Sequence, residues 1–306
     1  MKVLTSPSSG SIAGTTFSHN RAGQYTRNRR TPVVGTRTPR QGVVKGNLAE
    51  ASRAWQNLSA ADQNAWTSFA NAHPVVDALG QSIKLTGHQY YVRCSASLLN
   101  VGQIANTSTP TSVAVTAESI QGWAVEAGGP AFCVRVASSA SDFYYASLSK
   151  YTSLGANYQK TFHQVESNTG DVTFLDLTAD LTAWAGTSSV GNKAWIRLTP
   201  VNQYGITGQD LIQQTPVIAA MPITAAVLTS PLAAHVTVTY ASGPSTADVI
   251  LLSSPTLGGT YTFLSYNAAP GSPASITATA GQYVKAVLFD LATQEFSHYS
   301  NSILVT

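Results

Sequence analysis

The side chains of this 306-residue chain best suited to proton transfer or metal ligation are its six histidines: His19, His73, His88, His163, His235 and His298. No two stand four apart, so no helical face presents a ligand pair, and no metal site is expected. His163 and Glu166 could share a face of a short strand or loop, where solvated surface is the expected role. Asp171, Asp176 and Asp180 fall close together near turns, but their spacing matches no calcium-binding loop. A glycosidase carboxylate pair is drawn from distant positions, so spacing is silent on it; 14 acids without clustering argue against one. The chain has no Gly-rich phosphate loop, no HExxH and no GxSxG. Cys94 and Cys133 form no CxxC and fall in different predicted domains, so both are expected to be buried reduced thiols suited to a reducing cytosol. No catalytic residue is assigned, no cofactor is expected, and the chain reads as a non-enzyme.

The other concentration of chemistry is cationic. Residues 1–46 hold eight basic residues and no acid. Arg21, Arg27, Arg29, Arg30, Arg37, Arg40 and Lys45, with Tyr25 among them, form a set suited to contact with a polyanion or another subunit. Phosphate contact with Tyr25 stacking on a base is one use. Arginine forks gripping carboxylates and carbonyls of an adjacent subunit are a second, and a solvated tail is a third. Arg alternates here with Thr, Asn and Gly, unlike a simple polybasic tail, and this favours the subunit contact. The asymmetry extends further. Residues 1–100 carry a net charge of +8 and residues 101–306 a net charge of −5. Head-to-tail contact between copies would use such a split.

The elements that must position these residues follow from patterning. Only 10% of the chain is charged and 43% is apolar, the balance being neutral polar residues and glycine. That composition suits β-sandwiches and disfavours a helical enzyme or coiled coil. The segments Gly14–His19 and Gln24–Arg29 flank Asn20-Arg21-Ala22-Gly23 and predict a β-hairpin, with Thr31–Arg40 extended before its prolines. From residue 43 the period becomes helical. Leu48, Ala51, Trp55 and Leu58 form the stripe of a first helix. Ser59 with Asp62 caps a second, which buries Ala65, Trp66 and Phe69 and ends at Pro74. A third begins at Thr86 and carries Tyr90, Tyr91, Cys94, Leu98 and Leu99 inward. Leu48, Trp55, Leu58, Trp66 and Phe69 are therefore expected to be the core of a small helical unit.

From residue 108 short alternating strands take over, beginning at Val113/Val115 and continuing through Trp123/Val125, Phe132–Val136, Val172/Phe174 and Trp195–Leu198. A second block runs from Ile223 to Val305, after a linker over Gln214–Pro222. The predicted domains are a basic extended arm with a hairpin (1–46), a small helical unit (47–105), a first β-sandwich (108–217) and a second (218–306). The fold class is multidomain and mainly β. The start of the chain lacks the apolar run of a signal peptide, and Val217–Leu228 is too short to span a bilayer, so no membrane span is expected.

Tyr283-Val-Lys-Ala-Val-Leu-Phe-Asp-Leu-Ala, with Phe296-Ser-His-Tyr-Ser-Asn-Ser after it, resembles the late strands of fibronectin type III modules. Trp195-Ile-Arg-Leu-Thr-Pro-Val-Asn-Gln-Tyr-Gly is similar, with a tryptophan where tyrosine is usual. The resemblance implies two antiparallel sandwiches built as a diverged repeat, and no activity. The amino-terminal third resembles uncharacterised proteins of tailed bacteriophages and prophages. It does so at Gly14-Thr-Thr-Phe-Ser-His-Asn-Arg-Ala-Gly-Gln-Tyr-Thr-Arg-Asn-Arg, Thr38-Pro-Arg-Gln, Trp55-Gln-Asn-Leu-Ser, Asp62-Gln-Asn-Ala-Trp and Leu85-Thr-Gly. That resemblance implies a virion-associated structural subunit of capsid, decoration or tail, made in the host cytoplasm. Its expected partners are copies of itself and other virion proteins. Nucleic acid at the arm, and a glycan or host surface at the sandwiches, are the alternatives.

Overall fold

A computed structural model describes residues 10–12, 15–20, 23–28, 39–76, 80–115, 119–136, 143–169, 174–229, 234–240, 247–268, 270 and 272–306. Residues 1–45 and 46–306 are separate units. In the first, β1 (Gly10–Ile12), β2 (Thr15–Asn20) and β3 (Gly23–Asn28) form an antiparallel sheet in that order. The hairpin expected from sequence is β2–β3, closed with Asn20 opposite Gly23. The added β1 was not legible, because Gly-Ser-Ile is too short to carry an alternating pattern.

Helix α1 spans Pro39–Gln56. This corrects the reading of Thr31–Arg40 as wholly extended. Pro39 is the first helical residue, where its fixed φ and missing N–H cost nothing. Helix α2 (Ala60–Ala72) is capped by Ser59, whose hydroxyl accepts from the Asp62 N–H at 3.2 Å. After the two-residue strands β4 (Val75–Val76) and β5 (Ser82–Ile83), helix α3 (Gly87–Asn100) opens on Thr86 with a full capping box. The Thr86 hydroxyl accepts from Gln89 N–H, and the Gln89 side chain accepts from Thr86 N–H.

The first sandwich has β6 (Ser119–Glu126), β7 (Ala131–Val136), β8 (Phe143–Leu148), β9 (Thr152–Ser153), β10 (His163–Thr169) and β11 (Phe174–Asp176). Helix α4 (Thr178–Ala185), β12 (Asn192–Val201) and β13 (Leu211–Ile218) complete it. The second has β14 (Val227–Thr229), β15 (His235–Thr239), β16 (Asp248–Ser254), β17 (Thr262–Asn267) and β18 (Ala274–Thr277). It ends with β19 (Tyr283–Asp290), β20 (Glu295–Phe296) and β21 (Ile303–Leu304).

Both sandwiches have the same connectivity. The first pairs β6-β7-β11 in one sheet and β10-β8-β12-β13 in the other; the second pairs β14-β15-β18 and β17-β16-β19-β20. In each, a later strand, β11 in the first and β18 in the second, returns to the sheet of the first two, an antiparallel Greek-key route. In the first sandwich β13 also pairs parallel to β6 at Val217–Ile218, joining the two sheets at one edge. Each has its own core, Trp123, Tyr144, Leu148, Ile196 and Leu198 in the first and Val236, Val249, Leu251, Val284 and Leu288 in the second.

Three strand expectations change. Val113 and Val115 lie in no strand, and Val113 is exposed. The expected linker Gln214–Pro222 is largely strand, because β13 continues to Ile218, pairing with β12 through Pro216. Helix α4 occupies a stretch with no helical expectation, and is only eight residues long.

Candidate functional site

The arm residues divide by what the structure describes. Arg21, Arg29, Arg30 and Arg37 lie outside the described residues. Tyr25 and Arg27 stand two residues apart on β3, opposite Ser18 and Thr16, and Arg27 is exposed. Arg40 is half-buried and Lys45 exposed, both on α1.

In the helical unit Trp66 is fully buried against Tyr91, ring centroids 5.2 Å apart and nearly perpendicular, as edge-to-face packing favours. Trp55 reaches Tyr91 at 5.3 Å and Phe69 reaches Tyr90 at 5.5 Å. Leu58 packs on the same cluster. Leu48 does not: it is 51% exposed. The cluster meets α1 at Ala54 and Trp55, so the apolar stripe runs past its partner. Ala65 is likewise exposed, and Ala70 takes the buried position on α2.

The helices meet the first sandwich at a tight turn between β12 and β13 and at β8. Gly205, between β12 and β13, has φ +81, and a Cβ there would lie 2.0 Å from the Cys94 carbonyl oxygen. The Tyr145 hydroxyl donates to the Ser97 carbonyl at 2.6 Å, and the Asn106 side-chain amide donates to the Tyr204 carbonyl at 2.9 Å. Both cysteines are buried, as expected, and neither is in a disulfide. Burial pushes the Cys94 thiol up to about 12, which removes it as a nucleophile near neutrality.

The arrangement that sequence reasoning missed is a third core, shared by the two sandwiches. Phe132, Val134 and Phe174 of the first pack on Ile250, Leu252, Val287, Phe289 and Phe296 of the second. Phe132 lies 5.8 Å from Phe296, and Phe289 lies 4.7 Å from Phe296. Room for these rings comes from Gly122 at a bulge in β6, where a Cβ would sit 2.5 Å from Phe289 Cε2. At the rim the Tyr299 hydroxyl donates to Asp176, and His298 Nε2 lies 3.0 Å from Glu126. Burial is the main cause raising the Tyr299 phenol above its ordinary value, with the Asp176 charge next. The signal for this seam was present. β16 is buried along its whole length and β19 along most of it, matching near-continuous apolar runs rather than alternating ones.

His163, Asp176 and Asp180 lie near enough for their charges to interact. Among the described residues no three His, Cys, Asp or Glu side chains cluster as a metal site. His163 stacks on Trp184 at 4.3 Å. Asp171 lies outside the described residues, as does the side chain of Glu166. No described helix is long and apolar enough to cross a membrane.

Strand order, paired sheets and separate cores define a mainly β chain with two fibronectin type III-like sandwiches behind a small helical unit. No family model and no curated protein matches. Similar solved structures include the FN1–FN3 domains of chicken CNTN1, at 9% identity and TM-score 0.25, covering 62% of this chain and 63% of that one. A two-domain fibronectin type III segment of chicken tenascin matches at 11% identity and TM-score 0.23, covering 62% and 95%. Domains 7, 8 and 9 of the S-layer protein SbsC match at 10% identity and TM-score 0.21, covering 63% and 59%. The chain thus spans less than two thirds of the first and third of these.

Proposed function

We propose that this chain is a non-catalytic structural subunit of a bacteriophage particle, assembling with its own copies through the amino-terminal arm. The observation that carries the reading is the arm itself. It is a separate unit with a three-stranded sheet of only three to six residues per strand, bearing cations and no acid. A sheet that small has little core of its own, and its edge strands offer unpaired backbone groups to a neighbour's sheet. The acidic remainder of the chain supplies carboxylates for arginine forks. Exposed Val43, Val44 and Leu48 on α1 add apolar area for the same purpose. The setting within a phage particle rests on the resemblance of the amino-terminal third.

Immunogold labelling of phage particles from a producing culture tests the setting. Label on capsid or tail supports it, and label confined to free protein contradicts it. Nucleic acid is the rival partner, favoured by the eight basic residues of the arm. Phosphate contact would make DNA retention fall steeply from low to moderate salt, whereas a subunit contact leaves the protein indifferent to DNA.

A further inference from the structure

Beside the aromatic seam, two adjoining hollows of about 580 Å³ and 460 Å³ lie between α4 of the first sandwich and, on the second, residues 259–261 with Lys285 and Tyr299 for the larger and the start of β17 for the smaller. They share Asp176, Ala179, Thr260 and Tyr261, and each has the size of a small-molecule site. In one, the Lys285 ammonium sits 4.2 Å from the Tyr261 ring centroid and 5.1 Å from that of Tyr299. It has no hydrogen-bond or ion-pair partner among the described residues. In the other, Asp180 is half-buried in the first turn of α4, also without a hydrogen bond or ion pair among the described residues. Burial, and then the charge of Asp176, raise the Asp180 carboxyl above its ordinary value, while His163 opposes them. Asp176 itself is already engaged, accepting from the Tyr299 hydroxyl and from Thr178 Oγ1.

Two half-buried ions of opposite sign, one in each hollow, thus keep hydrogen-bonding capacity for a ligand: Lys285 meets aromatic faces and Asp180 the charges of its neighbours. An anionic ligand would satisfy Lys285 but face Asp180, and a cationic ligand would do the reverse. A ligand that accepts at one end, donates at the other and has apolar edges between them fits both. A sugar has this chemistry, since each hydroxyl both donates and accepts and the ring C–H groups pack on aromatic surfaces. Threonine hydroxyls at 178 and 260 line the path, and Tyr261 and Phe263 supply the rings.

We propose that this groove binds a short neutral saccharide, with hydroxyls at one end accepting from Lys285 and hydroxyls at the other donating to Asp180. The site is independent of the assembly role and stands whether or not the arm joins subunits. Calorimetric titration of the full chain with maltose, lactose, N,N′-diacetylchitobiose and N-acetylneuraminic acid tests it. The expected result is saturable binding of at least one neutral sugar with a millimolar Kd, weakened about ten-fold or more by Lys285→Met and by Asp180→Asn. Thermal unfolding verifies that both variants fold, and Thr260→Val at the exposed lip replaces either one that does not. No saturable binding of a neutral sugar up to roughly 20 mM, or binding that all variants leave unchanged, overturns the proposal. Binding of N-acetylneuraminic acid alone overturns it too, because the carboxylate would then select the ligand.

Discussion

Substituting Gly122 by alanine places a methyl carbon where Phe289 Cε2 lies 2.5 Å away, Phe289 Cζ 3.0 Å and Phe296 Cε2 3.1 Å. Ordinary carbon contacts lie at about 3.5–4.0 Å, so a ring must move by up to about 1 Å. Neither ring is free to do so: both are fully buried and pack on each other, tilted by 34°, with centroids 4.7 Å apart. Overpacking of this kind costs about 1–3 kcal/mol. Alanine also restricts the unfolded chain, returning about 0.4–1 kcal/mol. The net expectation for Gly122→Ala is a loss of about 0.5–2 kcal/mol, or a fall in Tm of roughly 2–6 °C, read by calorimetry. Phe289→Leu should absorb part of the clash, so the double variant loses less than the two singles combined, a coupling of about 0.5–3 kcal/mol. An unchanged or raised Tm for Gly122→Ala would refute the seam as a packed core, as would strict additivity in the cycle.

Gly205→Ala is the more damaging glycine change. It strains a positive φ, about 1–3 kcal/mol, and drives a methyl into the Cys94 carbonyl, which as backbone cannot step aside. Tryptophan emission should shift to the red as Trp55 and Trp66 lose cover, with Tm falling; an unchanged spectrum and Tm contradict the docking described. Tyr266 and Tyr299 have folded pKa values raised above 10.0, with burial the largest cause in each case, so their neutral forms stabilise the fold. That contribution is complete below pH 10 and is lost as pH rises further. Tyr299→Phe should therefore flatten the alkaline decline in Tm, and a curve parallel to the native one counts against it. Cys94 and Cys133 should both be inert to an aromatic disulfide reagent at pH 8 and react only on unfolding; stoichiometric labelling of the native chain would contradict their burial.

Much of the architecture can be read from local pattern, because it is locally determined. The β2–β3 hairpin follows from its turn and flanking alternation, the α2 and α3 starts from Ser59 and Thr86, and the buried aromatics from helical spacing. Leu48 misleads because periodicity says which face is apolar but not how far the partner extends. Pro39 misleads because the same residue ends one kind of segment and begins another. The near-continuous apolar runs of β16 and β19 signal that both faces are covered but not by what, since Phe132, Phe174, Phe289 and Phe296 come from separate stretches and meet only in the folded chain. The groove is harder still. Lys285 reads as the polar face of a strand and Asp180 as a turn residue, and only their place in adjoining hollows, without hydrogen-bond or ion-pair partners among the described residues, marks them.

The central claim, assembly through the arm, is tested most directly by sedimentation velocity of the full chain and of a chain lacking residues 1–38, which leaves α1 intact. The full chain should sediment as a distribution of large species and the shortened one as a folded monomer with the same unfolding temperature. Identical sedimentation profiles for the two would contradict the account.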